Sequence, residues 1–338
     1  MTQPLVGANY DRVVRLLKSR RDAGYAPSSL ADGRKLALIV EGGGMRGVLS
    51  AGSLFAIDQM GFRNCFDEIY ATSAGAVNAA YFLSGQGPLG ITVYFDDICC
   101  RRFVNPLRLS KIVDVDYVYD IIVRERKRLD EDAIRRAAAP LYLSVTDVHR
   151  GENILIDVRR APDPVSLVLK ASSALPVLYN RVVHLQGGSF VDGGVSNSLP
   201  IQDAIAANCT DVLVLATKLG AHVSKGPSVL HQALIFTMMG WRYPAVLNAH
   251  RRSFALSNKH RRLASGQDIV AGVNVATLCP EPIELTVGKA TISRPKLLKA
   301  SRSMAQRAVR VFGGDAKSMD AAFDRFTGIG ALQAEVAS

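Results

Sequence analysis

The stretch 35–47 reads K-L-A-L-I-V-E-G-G-G-M-R-G, in which five apolar residues lead into three consecutive glycines. A short run that is apolar on both faces is typical of a buried strand in a parallel sheet. Glycines at the end of such a strand let the backbone approach its neighbours closely. Their N–H groups can also form a concave nest that binds negative charge. The stretch therefore predicts a buried strand followed by an anion-binding turn.

Strand and helix patterns alternate along most of the remaining chain. Apolar runs of strand type lie at 66–71, 141–145, 154–158, 190–191, 212–216 and 273–278. Helical patterns lie at 48–57, 74–83, 165–170, 201–207 and 295–312. Apolar strands that alternate with helices indicate a sheet covered on both sides. The predicted fold class is therefore α/β, a three-layer α/β/α sandwich with a mostly parallel central sheet.

The chain divides into three predicted segments. They are an N-terminal extension over residues 1–33, a core over 34–218 with a more charged helical insertion near 85–140, and residues 219–338, which complete the same domain with helices and a strand. Within the last segment, 233–247 carries the single Trp, two Met, a Phe and a Tyr. This stretch fits either a core helix or an apolar mouth that faces substrate or a membrane.

The charge balance and the cysteines limit the partners and the compartment. Lys and Arg number 41 against 30 Asp and Glu, a formal net charge of +11, and the basic residues are scattered in pairs. Scattered pairs are typical of solvated faces, so we predict no nucleic-acid partner, whereas peripheral contact with an anionic membrane surface fits the net charge. Five cysteines without a C-x-x-C pair, and an N-terminus without the apolar region of a signal peptide, favour a cytoplasmic location.

A second motif follows the next predicted strand. The stretch 68–80 reads E-I-Y-A-T-S-A-G-A-V-N-A-A, with Ser73 between Ala71 and Gly75. It resembles the G-x-S-x-G elbow, a sharp strand-to-helix turn that exposes a serine hydroxyl. Ala71 is the smallest departure from the first glycine of that pattern. Ser73 is therefore a candidate nucleophile, and a buried serine in a tight strand–helix junction is the alternative.

The glycine turn alone does not distinguish a phosphate from the oxyanion of acyl transfer, because backbone N–H groups bind both. A phosphate-binding P-loop would need G-K-[ST] at the start of the helix, and this chain has M-R-G. A dinucleotide site would need an acid at the end of the next strand, whereas Asp67 and Glu68 stand at its start. Together with the serine motif, this favours an oxyanion hole at Gly42, Gly43 and Gly44.

A serine nucleophile needs a base, and none of the six histidines stands in a sequence context typical of a catalytic triad. The better candidate is an acid in the stretch 189–200, S-F-V-D-G-G-V-S-N-S-L-P. There Asp192 ends a predicted strand, and Gly193 and Gly194 let the chain turn close to a neighbouring group. Burial beside a serine would raise the pKa of this carboxylate and make it a usable base. An aspartate that only caps a D-G-G turn is the alternative.

Together these motifs resemble those of the patatin-like phospholipases. The resemblance rests on G-G-G-M-R-G at 42–47, A-T-S-A-G at 71–75 and D-G-G at 192–194, in this order. A wider likeness runs from about residue 36 to residue 216, and D-V-D-Y-V-Y-D at 114–120 looks like the bacterial branch of the family. Each motif is common by itself, but the set of three is specific.

The resemblance implies a patatin-like α/β/α fold and a Ser–Asp dyad, with Ser73 as nucleophile and Asp192 as general base. It implies that the glycine loop, Gly42 to Gly44, forms the oxyanion hole. The supporting motif residues that it implies are Arg46, Gly47, Ala71, Gly75, Gly193 and Gly194. The chain departs from the pattern at Ala71 and at Ser198, where proline is frequent, and neither change removes a reacting group.

The function that the resemblance implies is a serine lipid acyl hydrolase, which cleaves carboxylic esters as a phospholipase A or lysophospholipase does. It needs no metal or other cofactor, its substrate is a lipid ester, and no specific protein partner is predicted. Two alternatives use the same residues: a lipid-binding or scaffold protein with weak catalysis, and a lipid acyltransferase. Arg46 is expected either to hold an anionic head group or to anchor the glycine loop through a salt bridge.

Overall fold

A single nine-stranded sheet organises the part of the chain that the computed structural model describes, which is residues 5–27, 31–108, 111–220, 223, 226 and 229–328. Its strands are β1 (Leu5–Val6), β2 (Leu36–Val40), β3 (Glu68–Thr72), β4 (Leu141–Asp147), β5 (Asn153–Asp157), β6 (Val183–Leu185), β7 (Gly188–Asp192), β8 (Asp211–Leu215) and β9 (Asn274–Leu278).

The α-helices found in the same described residues alternate with the strands. They are α1 (Tyr10–Asp22), α2 (Gly47–Gln59), α3 (Ala74–Leu83), α4 (Gly87–Thr92), α5 (Glu131–Arg136), α6 (Val165–Ser172), α7 (Ile201–Ala206), α8 (Val229–Ile235), α9 (Pro244–Ser265), α10 (Arg294–Phe312) and α11 (Ala316–Thr327). None of these described helices combines the length and the apolar character that crossing a membrane requires.

The strand order brings three carboxyl ends to one edge of the sheet. The order is β1-β9-β8-β2-β3-β4-β7-β6, and β5 also pairs with β4. The five strands from β9 to β4 are parallel, and antiparallel pairs lie at both ends. Val40 lies opposite both Ala71 and Leu215, so β2, β3 and β8 end side by side. In α/β sheets this edge is where ligands bind.

Helices cover both faces of the sheet, as strands that are apolar on both sides require. The alternation along β2 separates two hydrophobic clusters, because Leu36, Leu38 and Val40 pack into one and Ala37 and Ile39 into the other. Residues of α2, α3, α6 and α10 belong to the first cluster, and residues of α7 and α9 to the second. The predicted three-layer α/β/α class is confirmed.

The segment near 85–140 contains helices, but not only α-helices. Besides α4 and α5 it has two π-helical segments, Val93–Asp97 and Tyr117–Arg126. A π-helix has a wider hydrogen-bond spacing than the 3.6-residue period that predicts an α-helix from sequence. Buried apolar side chains of this segment, including Tyr94 and Val118, form one wall of the cavity at the carboxyl edge of the sheet.

The first described residues are part of the sheet and the core. Strand β1 pairs antiparallel with β9, and Val13 and Leu17 of α1 are fully buried. Arg20, which the sequence suggests is solvated, is also buried, and its guanidinium lies 2.7 Å from both Asp32 and Asp67. A cation can be buried in this way because two carboxylates neutralise it and satisfy its donors.

Candidate active site

Ser73 occupies a strained turn between β3 and α3. Its backbone has φ 58° and ψ −129°, a region that L-residues rarely adopt. The Ser73 amide donates to Ser172 Oγ at 3.1 Å, and that hydroxyl donates to the carbonyl oxygen of Ser144 at 2.8 Å. The strained turn is therefore tied to β4, and this is the geometry expected of a nucleophile elbow.

The glycine loop and the elbow are in backbone contact. A Cβ at Gly42 would lie 2.4 Å from the Thr72 carbonyl oxygen and 2.8 Å from Ser73 Cβ. A Cβ at Gly75 would lie 2.4 Å from the carbonyl oxygen of Val40. Both positions therefore exclude any side chain. Ala71 is accommodated because it lies within β3, where its methyl group is buried in the core.

The loop backbone leaves amide donors unused at the cavity. Gly43 and Gly44 have φ of 153° and 60°, which favour glycine. The next amide, that of Met45, donates to the Lys289 carbonyl oxygen at 3.0 Å. Among the described residues, no protein acceptor takes a hydrogen bond from the amides of Gly43 and Gly44, and both residues line the cavity that contains Ser73. Two free amides at this position can bind an anionic oxygen.

The sheet topology brings Asp192 to the elbow from a distant part of the sequence. Asp192 ends β7 opposite Val145 of β4, while Ser144 lies opposite Thr72 of β3. A Cβ at Gly193 would lie 2.3 Å from the Ser144 carbonyl oxygen, so this glycine permits the close approach. Ser73 and Asp192 consequently line one cavity, as the sequence predicted for its two candidate reacting groups.

Burial changes the acidity of Asp192. The side chain is 1% exposed, and its Oδ1 accepts a hydrogen bond from the Gly194 amide at 2.6 Å. Desolvation raises the pKa of Asp192 to about 6, against smaller lowering contributions from Ser73 and Gly194. Its Oδ2 is buried and meets no donor at hydrogen-bond distance in the described part of the chain. Contacts of this kind often tighten only when substrate binds.

An apolar cavity opens beside Ser73. Its empty volume, which includes the open solvent at its mouth, is about 770 Å³. Its walls are aliphatic and aromatic side chains from α3, the 85–140 segment and the loop after α6. The residues that line it include Val77, Tyr81, Val93, Tyr94, Ile98, Phe103, Val113, Val115, Val118, Tyr119, Leu175, Leu178 and Tyr179. This cavity suits a hydrocarbon chain.

A second, more polar cavity shares Ser73 with the first and contains residues outside the three motifs at 42–47, 71–75 and 192–194. They include Glu41, Lys218, His250, Ser253, Phe254, Ser257 and Lys289. Glu41 is buried, forms an ion pair with Arg261 of α9, and accepts the Thr217 amide at 2.8 Å. An acid directly after a buried strand, as in V-E-G-G-G, indicates that a cation will pair with it. The sequence gives no indication that this cation is Arg261, 220 residues later.

Of the two roles expected for Arg46, the salt bridge that anchors the glycine loop is made instead by Arg261. Within the described ranges no carboxylate lies at ion-pair distance from Arg46, and Glu41–Arg261 is the ion pair that fixes the start of the glycine loop. Arg46 lines the polar cavity, where desolvation lowers its pKa.

The described residues contain no cluster of side chains able to hold a metal ion. All five cysteines are free thiols.

Comparison with known proteins identifies the family. Residues 38–205 match the model of the family described as Patatin-like phospholipase. Through this segment, which contains the glycine loop, the elbow and the D-G-G turn, the chain belongs to the patatin-like phospholipase family.

The aligned segments span about half or less of the length of the curated relatives named here. The chain is 29% identical over 190 residues to the uncharacterized protein YjjU of Escherichia coli (strain K12), covering 54% of this chain and 52% of that protein. It is 32% identical over 139 residues to Patatin-like phospholipase domain-containing protein 2 of Rattus norvegicus, covering 40% and 28%. Among solved structures, VipD from Legionella pneumophila gives a TM-score of 0.40 at 10% identity, covering 83% of this chain and 67% of that one.

Proposed function

We propose that the protein is a serine lipid acyl hydrolase with Ser73 as nucleophile and Asp192 as general base. The observation that supports this most directly is the convergence of the two side chains. A serine on a strained strand–helix turn shares a cavity with a fully buried carboxylate whose pKa is raised to about 6. A carboxylate that only capped a turn would gain nothing from such burial, whereas a base for neutral pH needs it.

In the proposed reaction, Asp192 accepts the proton of the Ser73 hydroxyl as Oγ attacks the ester carbonyl carbon. Negative charge then develops on the carbonyl oxygen, where the amides of Gly43 and Gly44 stabilise it. The tetrahedral intermediate collapses, and the leaving alcohol takes the proton from Asp192. Water then loses a proton to the same carboxylate and attacks the acyl carbon. The bond from this carbon to Ser73 Oγ breaks, Oγ takes the proton back from Asp192, and the fatty acid is released.

The apolar cavity is proposed to bind the acyl chain. It begins at Ser73 and Gly44 and continues between α3 and the 85–140 segment, so a chain lying in it would hold its carbonyl carbon next to the hydroxyl. Burial of methylene groups supplies binding energy of roughly 0.8 kcal/mol each. That energy is independent of the chemistry of the leaving group, which lies toward the polar cavity.

Covalent labelling of the wild-type protein tests this function. An alkyl fluorophosphonate should react at Ser73, whose oxygen adds to phosphorus as fluoride leaves, and peptide mass mapping should place the adduct on this residue. The wild-type protein should also release free fatty acid from a monoacyl lipid. Absence of labelling, with no fatty acid released, would favour the alternative of a lipid-binding protein without turnover. Appearance of a new ester when an alcohol is added would favour acyl transfer.

Contact with an anionic membrane surface is part of the proposal. The segment from α8 to the start of α9 exposes Leu230 and Trp241, the latter 68% exposed. The exposed cations Arg242, Arg251 and Arg252 follow it. Helix α9 packs against this segment and lines the polar cavity with His250, Ser253 and Phe254, so the apolar patch adjoins the site. An apolar patch with basic neighbours is complementary to an anionic lipid surface.

Trp241 is the only tryptophan in the chain, so its fluorescence reports this contact directly. Vesicles of phosphatidylglycerol and phosphatidylcholine should shift its emission to shorter wavelength, and added salt should weaken the shift. Trp241→Ala should reduce co-sedimentation with these vesicles several-fold. Ile269→Ala is the matched control, because Ile269 is similarly exposed but precedes the amino end of β9, at the end of the strands opposite to the site. Unshifted emission at vesicle concentrations that support lipid hydrolysis would contradict the proposed contact.

A further inference from the structure

The polar cavity carries an excess of positive charge. Three cationic residues line it: Arg46 and Lys218 line this cavity alone, and Lys289, an exposed residue, lines both cavities. The carboxylates that line the same cavity are Glu41 and Asp192. Asp192 is the proposed base, and the Glu41 carboxylate is already shared between Arg261 and the Thr217 amide.

Among the residues that the structure describes, these three cations have no anionic partner of their own. In the described portion of the chain, no carboxylate lies at ion-pair distance from Arg46, Lys218 or Lys289, and Arg46 Nε is buried without an acceptor. Lys218 is partly buried, and desolvation lowers its pKa to about 8. Glu41 opposes this shift, while Arg261, Arg46 and Lys289 add to it by repulsion. Unpaired cations held together in a cleft raise the local concentration of anions.

The two cavities meet at the reacting hydroxyl. Gly44, Ser73, Leu175, Leu178 and Lys289 belong to both linings. An ester placed at Ser73 with its acyl chain in the apolar cavity therefore directs its alcohol portion toward the cations. Phosphate oxygens accept charge-assisted hydrogen bonds from lysine and arginine, whereas an uncharged glycerol group would leave these cations unpaired.

We propose that Lys218 and Lys289, with Arg46, form a phosphate subsite that selects lipid esters with a net negative head group over zwitterionic and uncharged ones. This inference rests on the proposed function, because it assigns the leaving group of the same ester. Selectivity arises from two sides: a phosphate satisfies the cations, and a choline group brings a positive charge into a cleft that is already positive. The lysines act on the substrate alone and take no part in the proton transfers.

The test compares three substrates with the same oleoyl chain in detergent mixed micelles: lysophosphatidic acid, lysophosphatidylcholine and monooleoylglycerol. The wild-type protein should have its highest kcat/KM for the anionic lipid. In Lys218→Gln/Lys289→Gln, the ratio of kcat/KM for the anionic lipid to that for monooleoylglycerol should fall about 10- to 100-fold. Lys218→Arg/Lys289→Arg should restore most of the ratio. Lys317→Gln, on the exposed surface of α11, is the matched control and should leave the ratio unchanged.

Three outcomes decide the matter. Retention of the wild-type ratio in the glutamine double variant overturns the subsite. If the wild type shows no preference, yet inorganic phosphate binds the Ser73→Ala protein and the lysine changes abolish binding, the site takes free phosphate and the head-group assignment is wrong. If the wild type hydrolyses no lipid, the proposed function fails. In that case, lysine-dependent binding of lysophosphatidic acid by Ser73→Ala would still support the subsite, and its absence would overturn it.

Discussion

Replacing Ser73 by alanine is expected to lower kcat/KM for a soluble p-nitrophenyl ester and for a lipid ester by about 10⁴-fold or more. The change removes the attacking oxygen, and loss of a nucleophile costs more than loss of any single supporting group. The fold should persist because alanine keeps the Cβ, and the Ser73 amide that binds Ser172 is unchanged. Stopped-time assays of fatty-acid release and circular dichroism check the two parts of the expectation.

A serine outside the site controls for the chemical nature of the change. Ser265→Ala, at the C-terminal end of α9 and in neither cavity lining, should retain wild-type turnover. Activity of Ser73→Ala within a few fold of wild type would show that another residue attacks the ester. Because both cavities meet at Ser73, that result would also require a different location for the chemistry.

Asp192→Asn should lower kcat by about 10²- to 10⁴-fold, the usual contribution of a positioned general base. The amide keeps the shape of the side chain and retains an oxygen for the Gly194 amide, but cannot accept the Ser73 proton. Fluorophosphonate labelling of Ser73 should slow in parallel. Because the two residues act as a unit, combining this change with Ser73→Ala should cost no more than Ser73→Ala alone.

The raised pKa of Asp192 gives this prediction a pH signature. For an uncharged ester, wild-type kcat/KM should rise tenfold per pH unit below about pH 6 and become level above it, as the carboxylate ionises.

The raised pKa of Asp192 also makes the free energy of unfolding depend on pH. A carboxylate whose folded-state pKa lies above the unfolded value favours folding at low pH and loses that contribution as pH rises through 6. At pH 7, Asp192→Asn should therefore unfold at the wild-type temperature or above it.

His250 is the alternative candidate for the general base, because it lines the same cavity as Ser73. No sequence context indicated this histidine. Its ring packs edge-on against Phe254 of the same helix. If His250→Gln lowered turnover as strongly as Asp192→Asn and removed the rise near pH 6, a triad would replace the proposed dyad. A change of a few fold would leave Asp192 as the base.

The local sequence pattern was sufficient to predict the strand before the glycine turn and the helix after Ser73. The run 36–40 and the helix 74–83 were predicted with the bounds that the structure shows, because apolar strands and small-residue helices have strong periodic signals. Ser73 and Asp192 were also predicted to share a site, and the structure brings them into one cavity. Their catalytic roles stay predictions. They were recognisable by the glycines around them. The structure shows why these positions are glycine: a Cβ there would clash with the neighbouring backbone.

Features that depend on distant partners could not be predicted. Strand β1 is two residues long and exists because β9 pairs with it, so its own sequence has no period to detect. The π-helical segments follow a spacing that the helical pattern does not contain. Lys218 and Lys289 are unremarkable lysines in the sequence, and only the fold brings them to the cavity of Arg46. Tertiary contacts determine the first and the last of these features.

The segment by which the family is recognised ends at residue 205, yet the framework of its glycine loop continues beyond it. Glu41 is held by Arg261, and the Met45 amide is held by the Lys289 carbonyl oxygen. The proposed reacting groups therefore lie before residue 205, whereas part of the scaffold that shapes the glycine turn lies after it. Divergence beyond residue 205 can reshape the site while every recognisable motif stays unchanged, so motif identity and substrate choice can evolve separately.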